Sequence, residues 1–161
     1  MDELEIKSLF DLSKSLAGEY LGGFTYPWEA LPGIGAMVVA LGETLSEKEY
    51  EKRGENIWVA RDATVAPTAC INGPVIIGKG AEVRHCAYIR GNVLVGAGAV
   101  VGNSTELKNA ILFDGVQVPH YNYVGDSILG YKSHMGAGSI TSNVKSDKSL
   151  VFIHAEEADI E

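Results

Sequence analysis

The sequence predicts an all-β fold, a parallel β-helix of hexapeptide repeats preceded by an α-helical N-terminal segment, and three observations predict it. Aliphatic residues recur every six positions, at Val59, Val65, Ile71, Ile77, Val83, Ile89, Val95, Val101 and Leu107. The residue two positions earlier is mostly small: Ala63, Ala69, Ala81, Ala87, Ala99 and Thr105. The 161 residues include 19 Gly and only 5 Pro, which suits a backbone that turns often and regularly. A period of six fits neither a helix nor an alternating strand. It fits a short strand followed by a tight corner, three of which close a triangular coil of about 18 residues. After a slip of one residue the rhythm resumes at Leu112, Val118, Val124, Leu129 and Met135.

Taken in chain order, residues 1–56 read as helical. Ile6, Leu9, Phe10, Leu12 and Leu16 form one apolar stripe at helical spacing. Pro27 and Pro32 interrupt a Tyr-Pro-Trp-Glu-Ala-Leu-Pro stretch, expected to be extended or a turn. Ala36–Leu45 reads as a second short helix. Ser46 with Glu49 reads as a capping box that starts a third, ending at Gly54. The coils occupy 57–153, and 154–161 form an acidic tail.

Composition narrows the function classes. At 46% hydrophobic and 21% charged the chain is a globular one that can bury a core. Thirteen Lys and Arg against twenty-one Asp and Glu leave a net charge of −8, so no nucleic-acid partner is expected. No apolar run reaches the length of about 20 residues that spans a bilayer, and no membrane association is expected. The start, Met-Asp-Glu-Leu, lacks a secretory signal, and Cys70 and Cys86 match neither zinc spacing nor a redox pair. A reducing, cytoplasmic setting is the expectation.

Coil stacking lets columns be read directly. Asn72, Arg90, Lys108 and Gly125 fall in one outward column, so Arg90 and Lys108 stack about 5 Å apart. Two such cations either hold an anion such as a phosphate between them or pair with Glu106 or other carboxylates. His85, Asn103, His120 and Ala137 form a second column, and Glu106 with Tyr123 a third. His120, at a corner, is either a general base or a solvated surface histidine.

The repeat resembles that of the hexapeptide-repeat acyltransferase family, which implies a left-handed winding. Within it, Gly-Asn-Ser-Thr-Glu-Leu-Lys-Asn-Ala (102–110), His-Tyr-Asn-Tyr-Val-Gly-Asp (120–126) and Gly-Ala-Gly-Ser-Ile-Thr-Ser-Asn (136–143) stand ungapped relative to one another. They resemble the glucosamine-1-phosphate acetyltransferase domain of the bifunctional enzymes that make UDP-N-acetylglucosamine. The helical start resembles that of stand-alone β-helix proteins described as sugar-phosphate nucleotidyltransferase-like. The resemblance implies acetyl-CoA as co-substrate, an amino-sugar phosphate as acceptor, no metal requirement and a homotrimer. It places the catalytic base on His120, with Glu106 orienting it, sugar-phosphate contacts on Arg90 and Lys108, and a substrate contact on Tyr123. It places the oxyanion N–H on Ala137 and a contact near the acetyl-CoA and amino-sugar junction on Asn143. The family has asparagine where this chain has His134, a further substrate-binding position. No uridylyltransferase domain is expected.

Further coils follow in the family where this sequence ends. An incomplete donor site, and hence a non-catalytic sugar-phosphate-binding or assembly protein, is therefore the alternative expectation. A zinc enzyme of the γ-carbonic-anhydrase kind is a third. His85 and His120 stand two coils apart, roughly 10 Å, and residues 121–126 add no third histidine.

Overall fold

Backbone pairing follows the six-residue columns. The computed structural model describes residues 2–142, 144–149, 153–154 and 159–160. The first face stacks Ile57–Ala60, Val75–Ile77, Val93–Val95 and the second half of Glu106–Leu112 in parallel. The second stacks Thr64–Val65, Glu82–Val83, Val100–Asn103 and Gln117–His120. The third stacks Cys70–Ile71, Tyr88–Ile89, the first half of Glu106–Leu112, and Tyr123–Leu129. This is a parallel β-solenoid. Its registers are the expected ones: Val59, Ile77, Val95, Leu112 and Leu129 align, as do Val65, Val83, Val101 and Val118. Ile71, Ile89, Leu107 and Val124 align on the third face. From Ile77 to Val124 the aligned aliphatics are fully buried, each contributing roughly 1.5–3 kcal/mol of hydrophobic stabilisation.

The slip has a structural form. In the earlier coils a separate corner divides the third face from the first, as between Tyr88–Ile89 and Val93–Val95. In the later coils one residue is dropped there, and the two strands fuse into the continuous Glu106–Leu112 and Tyr123–Leu129. Asn109 and Asp126 carry these bends with φ of 50° and 46°, the left-handed region that Asn and Asp tolerate best.

The helical segment covers one face. Each first-face strand presents its middle residue outward, and the column reads Trp58, Ile76, Leu94, Ile111 and Ile128. Ile76, Leu94 and Ile111 are nevertheless 0% exposed. The helix Ile34–Gly42 packs on Val75–Ile77, Val93–Val95 and Glu106–Leu112. Gly35 lets it approach Asn92, and Gly42 lets it lie on the Trp58 ring. Phe10 packs on the buried Phe113, ring centroids 5.3 Å apart.

Two local expectations change, and one open choice is settled. The stripe from Ile6 to Leu16 is broken into a turn of α-helix at Ile6–Leu9 and a 3-10 turn at Leu12–Lys14. Asp11 takes hydrogen bonds from the Ser13 N–H and hydroxyl and ends the run. Of the two readings expected for the Pro27 stretch, extended or a turn, Pro27–Ala30 takes the turn, a helical one, because Glu29 accepts from the N–H groups of Thr25 and Tyr26 at 2.9 and 2.8 Å. The expected third helix is a strand, Tyr50–Gly54, antiparallel to Ile57–Ala60. Ser46 closes only one turn, its carbonyl accepting from Glu49 and Tyr50. Beyond that turn the open edge of the first coil supplies a full ladder of partners, and pairing it outweighs the local capping signal.

Candidate functional site

The third face is a surface bounded by two corners. At its far corner, where it meets the first face, stand Arg90 and Lys108, one coil apart as the column reading requires. Each meets a carboxylate. Arg90 Nη1 donates to Glu106 Oε1 at 2.8 Å, and Lys108 Nζ donates to Asp126 Oδ2 at 3.1 Å. The hydrogen bond from Arg90 to Glu106, with the nearby carboxylate charge, raises the guanidinium above its ordinary value, so it stays cationic at any working pH. The Arg90 and Lys108 side chains are each 43% exposed. Pairs as wet as these are weak, and an arriving dianion can displace or share them.

Glu106 and Tyr123 are in register across adjacent strands between the corners. The Tyr123 phenol lies over Gly125, where a Cβ would stand 2.5 Å from its oxygen. Glycine at 125 thus lets the ring lean toward the Lys108 corner.

At the near corner His120 is exposed, directly above Asn103. Among the described residues no hydrogen bond reaches its ring; its backbone N–H donates to Asn122 Oδ1 and its carbonyl accepts from Gly138. Ala137 lies one coil on, beside that contact, and among the described residues nothing accepts its N–H. The strand Tyr123–Gly125 that joins the corners spans ~7 Å at 3.3 Å per residue.

The columns therefore place Arg90, Lys108, Glu106 and Tyr123 on the third face, with His120 and Ala137 at its near corner, where it meets the second. Glu106 meets Arg90, and among the described residues no hydrogen bond joins it to His120. His134 pairs with Gln117 on the second face, apart from that group. Asn143 lies outside the described residues. His85 bonds Thr68 Oγ1 at 2.9 Å, and among the described residues no group of three His, Cys, Asp or Glu could hold a metal ion. Among the described residues no helix is long and apolar enough to cross a membrane.

Two residues of the site escaped the sequence reading. Asn122 is 2% exposed and donates to the Gly136 and Ser139 carbonyls at 2.8 and 3.1 Å while accepting from the His120 N–H. It ties the histidine backbone to the loop that holds Ala137. Its signal was an amide standing in the small-residue column of Ala87 and Thr105. Asp126, the partner of Lys108, had a signal too, since it stands one coil after Asn109.

A family model described as the GMPPB C-terminal domain matches residues 71–160. The bifunctional protein GlmU of Stutzerimonas stutzeri is 43% identical over 83 residues, 52% of this chain and 18% of its own. Its counterpart in Methanococcus maripaludis is 42% identical over 53 residues, 33% of this chain and 13% of its own. That of Thermodesulfovibrio yellowstonii is 35% identical over 94 residues, 58% of this chain and 17% of its own. The chain thus spans less than a fifth of the length of these relatives. A solved acetyltransferase domain, that of PglB from Neisseria gonorrhoeae FA1090, is similar over 52% of this chain and 42% of its own. It is 22% identical with a TM-score of 0.49, a likeness too slight to carry an argument.

Proposed function

Since the chain belongs to the GMPPB C-terminal domain family and shares coils with bifunctional GlmU proteins, we propose that it is a hexapeptide-repeat acyltransferase. Its reaction would be N-acetylation of an amino-sugar phosphate, such as glucosamine-1-phosphate, by acetyl-CoA. The observation that carries this reading is the layout of one face: two stacked cations at one corner and, at the other, an imidazole with no hydrogen bond beside an N–H with no acceptor among the described residues. A substrate with an anion at one end and an amine at the other matches that polarity.

Arg90 and Lys108 would take the phosphate, with Glu106 released from Arg90 as the dianion arrives. Tyr123 would lie against the sugar. The anchored phosphate holds the amine in line with the thioester, which removes orientational freedom from the reaction. His120 takes a proton from the amine as its nitrogen bonds to the thioester carbon. The Ala137 N–H donates to the oxygen that gains charge. The C–S bond then breaks and coenzyme A leaves as the thiol, its proton supplied by the imidazolium. Acetyl-CoA is consumed as a co-substrate, and no step calls on a metal. We assign Asn143 to the amino-sugar end, and the working form to a cytoplasmic homotrimer.

The test is coenzyme A thiol release from acetyl-CoA with glucosamine-1-phosphate or glucosamine as acceptor. The proposal expects release with the phosphate ester at a kcat/KM at least tenfold above that for glucosamine, the difference vanishing in Arg90→Ala/Lys108→Ala. Equal rates with both acceptors would contradict it. Binding of the sugar phosphate without release would support a non-catalytic sugar-phosphate-binding protein instead.

A further inference from the structure

Asn92, Asn109 and Asp126 stack at the corner between the third and first faces, all with left-handed φ, of 55°, 50° and 46°. The N-terminal segment runs along this ladder. Gly35 of the helix Ile34–Gly42 lies against Asn92 Oδ1. Asn109 Nδ2 donates to the Leu31 carbonyl at 3.2 Å, and also to Asp126 Oδ1 at 2.9 Å. Both acceptors are oxygens, so the amide orientation is chemically determined. The other carboxylate oxygen, Asp126 Oδ2, accepts from Lys108 Nζ at 3.1 Å. Asparagine at 126 would continue the ladder equally well, because an amide oxygen also accepts from Asn109. Its NH2 would then face Lys108, and only a carboxylate has a second oxygen to accept from the lysine, in a bond charged on both sides.

We propose that Asp126 is a positioning residue that fixes the Lys108 ammonium at the anion end of the site, and that Asn109 anchors Asp126 to the N-terminal segment through the Leu31 carbonyl. The inference rests on the proposed function for what Lys108 binds, but not for how Lys108 is held. Lysine is a compact charge on a flexible stem with three donors. Fixing one of them on Asp126 leaves two aimed at a phosphate and removes rotamer freedom before the ligand arrives. The N-terminal segment is then part of the site: undocking it at Leu31 would loosen Asp126 and, with it, the lysine.

The test maps acetylation of individual lysines by an amine-reactive ester in the wild type, Asp126→Asn and Asn109→Ala. Lys52, whose Nζ meets Glu43 3.0 Å away, serves as the internal reference. Freed from an exposed ion pair, Lys108 should label about threefold faster in both variants with Lys52 unchanged. In parallel, calorimetry with glucosamine-1-phosphate should show affinity reduced about three- to fivefold in Asp126→Asn, with thermal stability kept because the amide preserves the ladder. Unchanged Lys108 labelling in Asp126→Asn overturns the inference, as does tighter binding of the sugar phosphate. A rise in Asp126→Asn without one in Asn109→Ala overturns the link to the N-terminal segment. Should Asn109→Ala fail to fold, Asp126→Asn decides the positioning role. Should wild type and Lys108→Ala bind the sugar phosphate alike, the proposed function fails, and labelling still decides how Lys108 is held.

Discussion

Replacing Leu94 by alanine tests whether the N-terminal segment is a wall of the solenoid or an accessory to it. Leu94 points outward from the first face yet is 0% exposed, because the helix Ile34–Gly42 lies on it. On a bare solenoid that position would face water, and truncation would cost about 0.5 kcal/mol or less. Under the helix the change removes about three buried carbons, or roughly 2.4 kcal/mol at about 0.8 kcal/mol each. A cavity term adds to this, since the Gly42 backbone already lies on the Trp58 ring and leaves the helix little room to settle inward. The expected loss is about 3 kcal/mol, within the range of about 2.7–5 for buried leucines. In urea unfolding it should appear as a midpoint lowered by about 1–2 M at unchanged slope. Gln117→Ala, at the exposed outward position of the second face, should move the midpoint little. A loss below about 1 kcal/mol in Leu94→Ala would refute the packing argument.

Two further outcomes follow from the same structure. Gly102→Ala would drive a Cβ into the Pro119 backbone and should prevent folding or cost several kcal/mol, whereas Gly98→Ala has nothing within 4 Å and pays only for its φ of +63°, about 1–2 kcal/mol; thermal melts of the pair would separate clash from backbone strain. Tyr50 is 6% exposed, and burial pushes its phenol above the ordinary value. The protonated form is favoured by folding, so its contribution is complete below pH ~10 and is lost as pH rises through the raised folded value. The stability of Tyr50→Phe should therefore fall less steeply than that of the wild type above pH ~10, and parallel curves would contradict that role.

The inward columns were legible because a period of six leaves no other reading, and every register they imply is present. The outward column Trp58, Ile76, Leu94, Ile111 and Ile128 was equally visible, and an apolar outward column calls for a cover. It passed unread because it lies beside the stronger inward one. The third helix failed for a physical reason: Ser46 and Glu49 carry a local signal, while the edge that recruits Tyr50–Gly54 is a property of the assembled coil. At the site, stacking alone placed Arg90 on Lys108 and left open whether an anion or carboxylates meet them. The structure pairs them with Glu106 and Asp126. Asp126 was not singled out because its pairing with Lys108 is a contact between adjacent coils, signalled in the sequence only by its place one coil after Asn109.

The measurement closest to the central claim is steady-state thiol release from acetyl-CoA with glucosamine-1-phosphate, comparing the wild type with His120→Ala. The account predicts sugar-dependent release that falls by about 10²–10⁴-fold in kcat in the variant, while calorimetry finds the sugar phosphate bound as before. Release that survives the loss of His120 would contradict it.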